Sequence, residues 1–111
     1  MKTKFWCADC SQAAEYCRKQ FSESVISTLS AADAICRNTF TFQDHWEMEA
    51  CHIPVTFGAQ VDWAHIPFGD PEWLYALNRH SCFVNLGKAY RYTHNEKYAE
   101  HFARLISHWM D

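Results

Sequence analysis

Glycine and proline are scarce, with three of each in 111 residues. Collagen-like, low-complexity and disordered readings are therefore excluded. No apolar run approaches the ~18 residues that a membrane span needs, so no membrane partner is expected. Met1 to Phe5 carry two lysines but no apolar segment follows them, so no signal peptide is visible. If the chain is complete as given, that implies a cytoplasmic location. Charge of one sign is missing too. Ten basic and 13 acidic residues, net −3, are spread along the chain without a basic stripe. A dedicated nucleic-acid binder would have one, so no nucleic-acid partner is expected.

Rings and thiols are plentiful. Five Trp, five Tyr and eight Phe make up 16% of the chain. Large rings fill a small core efficiently, and Trp or Tyr can also line a sugar cleft by stacking on a flat sugar face. The six cysteines are Cys7, Cys10, Cys17, Cys36, Cys51 and Cys82. Without a secretion signal they read as free thiols in a reducing compartment. Cys7-x-x-Cys10 has the spacing of half a zinc site or of a redox pair. A structural zinc would need a second spaced pair, whereas Cys51-His52 is adjacent and Cys17 and Cys36 stand alone. No metal or other cofactor is expected.

The hydrophobic pattern is helical at both ends. Asp9 suits a helix N-cap, and Cys10, Ala13, Ala14, Cys17 and Phe21 share one helical face. Ser22-Glu23-Ser24 breaks that pattern and suits the cap of a second helix, with Val25, Leu29, Ala32 and Cys36 as its stripe. Asn38 suits the left-handed conformation that ends helices. The period then changes. Residues 39–43 read as a short strand with Phe40 and Phe42 on one face. From Asp44 to Gly69 the connection is long and irregular, and its rings argue that it is packed. Asp70-Pro71-Glu72 is the clearest helix start: an N-cap, a proline at the first position and an acid at the positive end of the dipole. Trp73, Leu77, His80, Val84 and Gly87 place one continuous helix from there to about Tyr92. Asn95 caps a last amphipathic helix carrying Tyr98, Phe102, Leu105, Ile106 and Trp109. The short link makes these two helices an antiparallel hairpin. The expected fold class is mainly α.

Two segments carry a family resemblance. Val61-Asp62-Trp63-Ala64-His65-Ile66-Pro67-Phe68-Gly69-Asp70-Pro71-Glu72-Trp73 is similar to a "DW…P…EW" stretch and runs into Leu77-Asn78-Arg79-His80, an "LNRH" helix. Ala89-Tyr90-Arg91-Tyr92-Thr93-His94-Asn95-Glu96-Lys97-Tyr98-Ala99 is similar to "AY-x-x-T-G-D-E-K-Y-A", with a closing Trp109. Asn38 to Phe42 looks like an aromatic strand of the same family. In this order the segments resemble the N-terminal region of heparinase II/III-type polysaccharide lyases. His94-Asn95 departs from the usual Gly-Asp.

The resemblance implies helical hairpins that open an incomplete (α/α) toroid, followed in the family by a β-sandwich. It implies β-elimination on uronic-acid polysaccharides, in which a Tyr or His base removes the proton acidified beside the uronate carboxylate. The family's catalytic Asn-His pair and Tyr lie further along the toroid, and no Asn-Asn-His run occurs here. Residues 1–111 are thus expected to be a partial domain of a longer lyase, with no catalytic residues of its own and an acidic polysaccharide as partner in the full-length context. The candidate substrate-binding residues are Asn78, Arg79, His80, Trp63 and Trp73. Each has a structural alternative. Arg79 can clasp a uronate or sulfate, or pair with Asp62, Asp70 or Glu72. His80 can be a satisfied core histidine, and the two indoles can be packing. Asp62, Asp70 and Glu72 are taken as structural.

Three further readings compete: a free-standing non-catalytic carbohydrate-binding module, a metal or redox protein built on Cys7 and Cys10, and a degenerate product with no activity. Hairpins cut from a ring leave apolar faces open, so the isolated chain is expected to self-associate.

Overall fold

A computed structural model describes residues 10–42 and 52–111. They are mainly helical. In chain order the elements are α1 (Ser11–Gln20), α2 (Ser22–Cys36), β1 (Thr39–Phe40), β2 (Val55–Thr56), α3 (Pro71–Asn78), α4 (Ser81–Thr93) and α5 (Glu96–Met110). The central helix is α4, packed against α2 on one side and α5 on the other. Ala32, Phe40, Trp73, Leu77, Leu86 and Ala89 are essentially solvent-free and form the middle of one core.

The N-terminal pair is looser than its pattern implies. Asp9 lies outside the described residues; α1 starts at Ser11 and buries only Ala14. Phe21 sits between α1 and α2, 54% exposed rather than on a buried face. Ser22 is the first residue of α2, and no side chain caps that helix. With no residue spare for a loop, the backbone N–H of Phe21 bonds Cys17 while its carbonyl accepts from Val25. Arg18 ties α1 to α4 by donating to the carbonyl of Tyr92, at 3.0 Å.

Asn38 takes the left-handed conformation, with φ 52°, and closes α2. Its amide donates to the carbonyl of Gly58 at 2.7 Å, and its own carbonyl accepts from Phe57 N–H. These bonds bring the irregular connection back to β1. There Thr39 pairs with Thr56 and Phe40 with Val55 in an antiparallel ladder that β2 completes from within that connection. Phe40 meets Phe57 and Trp63 edge-on, and Phe42 meets Trp73 edge-on at 5.2 Å. Both rings of the strand expected over 39–43 therefore reach the core, although the strand itself stops at Phe40 and Gln43 lies outside the described residues.

The start of α3 follows the sequence. Asp70 Oδ1 accepts from Glu72 N–H at 2.9 Å, and Pro71 occupies the first turn. The expected single helix to Tyr92 is corrected: it breaks at Arg79–His80, where His80 adopts φ 65°, ψ 27°. No Gly or Pro marks the break. The His80 ring is instead drawn in among Trp63, Phe83 and Trp109. The break also changes the helix phase, so Cys82, Phe83, Leu86 and Ala89 face the core while Val84 is 56% exposed. His94, at φ 55°, ends α4, and Asn95 then caps α5 by accepting from Lys97 N–H at 3.0 Å. Across the core, Tyr98 O–H donates to Asp33 at 2.7 Å, and Lys97 pairs with the same carboxylate at 3.0 Å.

Candidate functional site

The residues around the α3–α4 break form a joint between three elements. Asn78, at the end of α3, donates from its amide nitrogen to the carbonyls of Trp63 and Leu74, each at 3.0 Å. Its amide oxygen accepts from Trp109 Nε1 at 3.0 Å. Trp63 Nε1 donates to His108 Nδ1 at 3.1 Å. The His80 ring stands perpendicular to Trp109, with centroids 4.4 Å apart, and perpendicular to Trp63 at 6.3 Å. The connection, the end of α3 and the last turn of α5 are thereby bound together through two indoles, one amide and two imidazoles.

The Asn78-Arg79-His80 triplet does not act as one patch. Asn78 and His80 turn into the joint. Arg79 stays on the surface and pairs with Glu72 at 3.8 Å, with both side chains substantially exposed. Of its three candidate carboxylate partners, Arg79 thus selects Glu72. Asp62 instead accepts from Ala64 N–H at 3.0 Å and shapes the turn before α3, and Asp70 is the α3 cap. Trp73 is a core residue, 0% exposed, with Phe42 and Phe57 against it. It has no ring face open to a sugar, because α3 presents it inward beside Leu77. Trp63 is half-buried and Trp109 is 42% exposed. Two nitrogens in this region, Trp73 Nε1 and His80 Nε2, are buried with no hydrogen-bond partner.

A broad groove opens beside the joint. Hydroxyls of Ser27, Ser30, Thr39 and Thr41 and the carboxylate of Glu23 line it, with Arg79 and Asn85 on the far wall. Its thiol, Cys82, is no nucleophile: burial pushes it up to about 11. Cys17 and Cys36 are also free thiols. Cys7 and Cys51 lie outside the described residues. Among the described residues, no three His, Cys, Asp or Glu side chains cluster to hold a metal ion. No helix there is long and apolar enough to cross a membrane.

A second, smaller cleft of about 140 Å³ lies between α5, the end of α2 and the connection, and Asn38, Gln60, His101, Arg104 and His108 contribute its polar lining. None of these five was singled out as a site residue from sequence, although His101, Arg104 and His108 recur at i, i+3 and i+7 on α5. That spacing places them on one helix face, and it is the signal that would have found them. His101 Nε2 lies 3.1 Å from Asn38 Oδ1. Burial and the Arg104 charge hold its proton affinity below the ordinary histidine value, while the Ile35 carbonyl pulls the other way.

Comparison with known proteins identifies the family. A family profile described as "Heparinase II/III N-terminus" matches residues 6–111, nearly the whole chain. The chain belongs to the heparinase II/III family. Over 54 residues it is 37% identical to a heparin-sulfate lyase of Bacteroides stercoris, a stretch that covers 49% of this chain and 8% of that protein. The matched stretch is thus a small part of the relative's length. No solved structure matches the chain. The joint, the groove and the α5 cleft all lie within the span matched by the heparinase II/III profile.

Proposed function

We propose that residues 1–111 form the N-terminal segment of a heparinase II/III-type (α/α) toroid, part of a lyase that cleaves uronic-acid polysaccharides by β-elimination. The segment supplies scaffold and a saccharide subsite, and catalysis belongs to the rest of the toroid and the β-sandwich. The observation that carries this reading is the profile match to a heparinase II/III N-terminus from residue 6 to residue 111. The chemistry of the described side chains supports the non-catalytic part. Asp62, Asp70 and Glu72 are committed to a turn, a cap and an ion pair. Burial and its bond to Asp33 raise the Tyr98 phenol above its ordinary value, so it stays protonated and unavailable as a base. Arg79 is the subsite residue. Its exposed guanidinium is held by one weak ion pair, and Arg79 lines the hydroxyl-bearing groove where a uronate or sulfate would meet it. The alternative, a free-standing carbohydrate-binding module, shares this subsite and differs in having no lyase to serve.

The test is to titrate the chain with uronic-acid oligosaccharides while following the ultraviolet absorbance of the unsaturated product. Binding without turnover is expected, weakened by Arg79→Ala. Turnover by the chain alone would overturn the non-catalytic assignment, and failure to bind any acidic oligosaccharide would overturn the subsite. Exposed Ile26, Val84 and Met110, at 66%, 56% and 72%, leave apolar surface for the missing neighbours. Self-association of the chain in size-exclusion chromatography is therefore part of the same proposal.

A further inference from the structure

The α5 cleft is a second site, chemically distinct from the Arg79 groove. The geometry points to an oxyanion-binding cleft in which Arg104 and His108, beside the braced His101 ring, hold a sulfate or carboxylate group of an acidic saccharide. This rests on the saccharide reading above but uses none of its residues.

Four observations carry it. First, the cleft is concave and of suitable size, about 140 Å³, room for several waters and hence for a tetrahedral or planar oxyanion. Second, its polar lining is one-sided: a guanidinium, two imidazoles and the amides of Asn38 and Gln60, with no carboxylate among the described lining residues. Third, Arg104 is exposed and makes no ion pair with a described carboxylate, although Glu100 sits one turn before it. A planar fork with spare donors is the side chain best matched to a sulfate or carboxylate edge. Fourth, the joint fixes His108. Its Nδ1 accepts from Trp63 Nε1, so in the neutral ring the proton is on Nε2, a donor held in one tautomer by a bond made elsewhere. Asn38 orients His101 in the opposite sense: its Oδ1 accepts from His101 Nε2, and its amide nitrogen is fixed by donating to Gly58, so the His101 ring is a braced wall of the cleft rather than a free donor. Donors anchored before a ligand arrives cost little ordering on binding.

The experiment titrates the full chain with two probes, sodium sulfate and a sulfated uronate-containing oligosaccharide. Calorimetry measures affinity while NMR follows the His101 and His108 ring signals. Both probes are expected to shift those signals and to raise the pH at which His101 titrates, because a bound anion favours the charged ring. The groups facing that ring are Arg104 and His108 on α5 and the Ile35 carbonyl with Asn38 from the end of α2; among the described lining residues, the connection contributes no charge. Arg104→Gln is expected to weaken oligosaccharide binding at least about tenfold, the loss expected for a charge-assisted bond, and Arg104→Lys to restore part of it. Arg104 is exposed, so neither change threatens the fold, and circular dichroism verifies this. Oligosaccharide binding unchanged by Arg104→Gln, with both ring signals still, would overturn the cleft and leave the Arg79 reading intact. Arg104-dependent sulfate binding with no oligosaccharide bound would overturn the saccharide assignment.

Discussion

Replacing Asn78 tests the joint on which the rest of the architecture depends. Its side chain makes two long-range bonds, to the Trp63 carbonyl and from the Trp109 indole, and one local bond to Leu74. Asn78→Ala removes all three. The two long-range bonds are worth about 1 kcal/mol each. The stranded groups add a fraction of their desolvation penalty, limited because Trp109 is 42% exposed and water can reach its N–H. The sum is about 2–3 kcal/mol, or roughly 10 °C in Tm for a domain of this size. Asn78→Asp sharpens the test, since it keeps the acceptor for Trp109 but turns a carboxylate oxygen toward two carbonyls. The new carboxylate's folded pKa then lies above its unfolded value. Its penalty is full above the folded pKa and is relieved as pH falls through that value. Urea unfolding followed by circular dichroism, at neutral and mildly acidic pH, reads both variants. Asn78→Ala costing under about 0.5 kcal/mol, or Asn78→Asp no worse than Asn78→Ala at neutral pH, would refute the joint as a stability element.

The two left-handed histidines should respond oppositely to glycine. His94 is exposed with one ring contact, to Tyr90, so His94→Gly is expected to stabilise by about 0.5–1 kcal/mol through relief of its positive φ. His80→Gly gains the same relief but empties the ring's place among Trp63, Phe83 and Trp109, and a net loss of about 1–2 kcal/mol is expected; thermal melts compare the two. Tyr98→Phe should cost about 1 kcal/mol. Because the Tyr98 bond, with Lys97 helping, holds the Asp33 carboxyl below its ordinary 3.8, stability from Asp33 is present above 3.8 and lost as pH falls through the folded value. An acid titration of Tm should show a shallower acid limb in Tyr98→Phe. Arg79→Ala should leave the unfolding free energy within about 0.5 kcal/mol of the parent, since its ion pair is exposed, so any loss of saccharide binding in that variant reports on the groove alone.

The legible features were those with local causes. Asp70-Pro71-Glu72 and Asn95 announce helix starts because capping needs only side chains a few residues away, and both caps form. Asn38 likewise announces a left-handed residue. The break at His80 was illegible because nothing local requires it. Its strain is offset by three aromatic neighbours, two of which, Trp63 and Trp109, are distant in sequence. That break rotates the second half of the pattern, which is why Val84 faces solvent although its spacing from Trp73 and Leu77 implies burial. β2 was hidden for the same reason, because Val55 and Thr56 become a strand only when Asn38 draws Gly58 back toward β1. The α5 cleft is legible in part, as a His101, Arg104, His108 series at i, i+3 and i+7.

The two sites are linked through His108. Its Nδ1 completes the joint by accepting from Trp63, and its ring lines the oxyanion cleft. In the neutral His108 ring that bond leaves the proton on Nε2. His101 resists protonation, because burial and Arg104 disfavour a second charge. The unbound cleft thus holds one permanent cation and a His101 ring biased toward neutrality. For His101 the sign is definite. Its folded pKa lies below the unfolded 6.5, so the unfolded chain binds more protons over the interval between them, and stability falls as pH drops through it. An anion in the cleft opposes that bias by stabilising the charged His101 ring. Sulfate should therefore raise Tm more in mildly acidic buffer than in neutral buffer. Arg104→Gln should reduce that gain by removing the fixed charge that recruits the anion. A sulfate effect equal at both pH values and unchanged in Arg104→Gln would assign it to general salt exclusion from the surface and detach the histidines from anion binding.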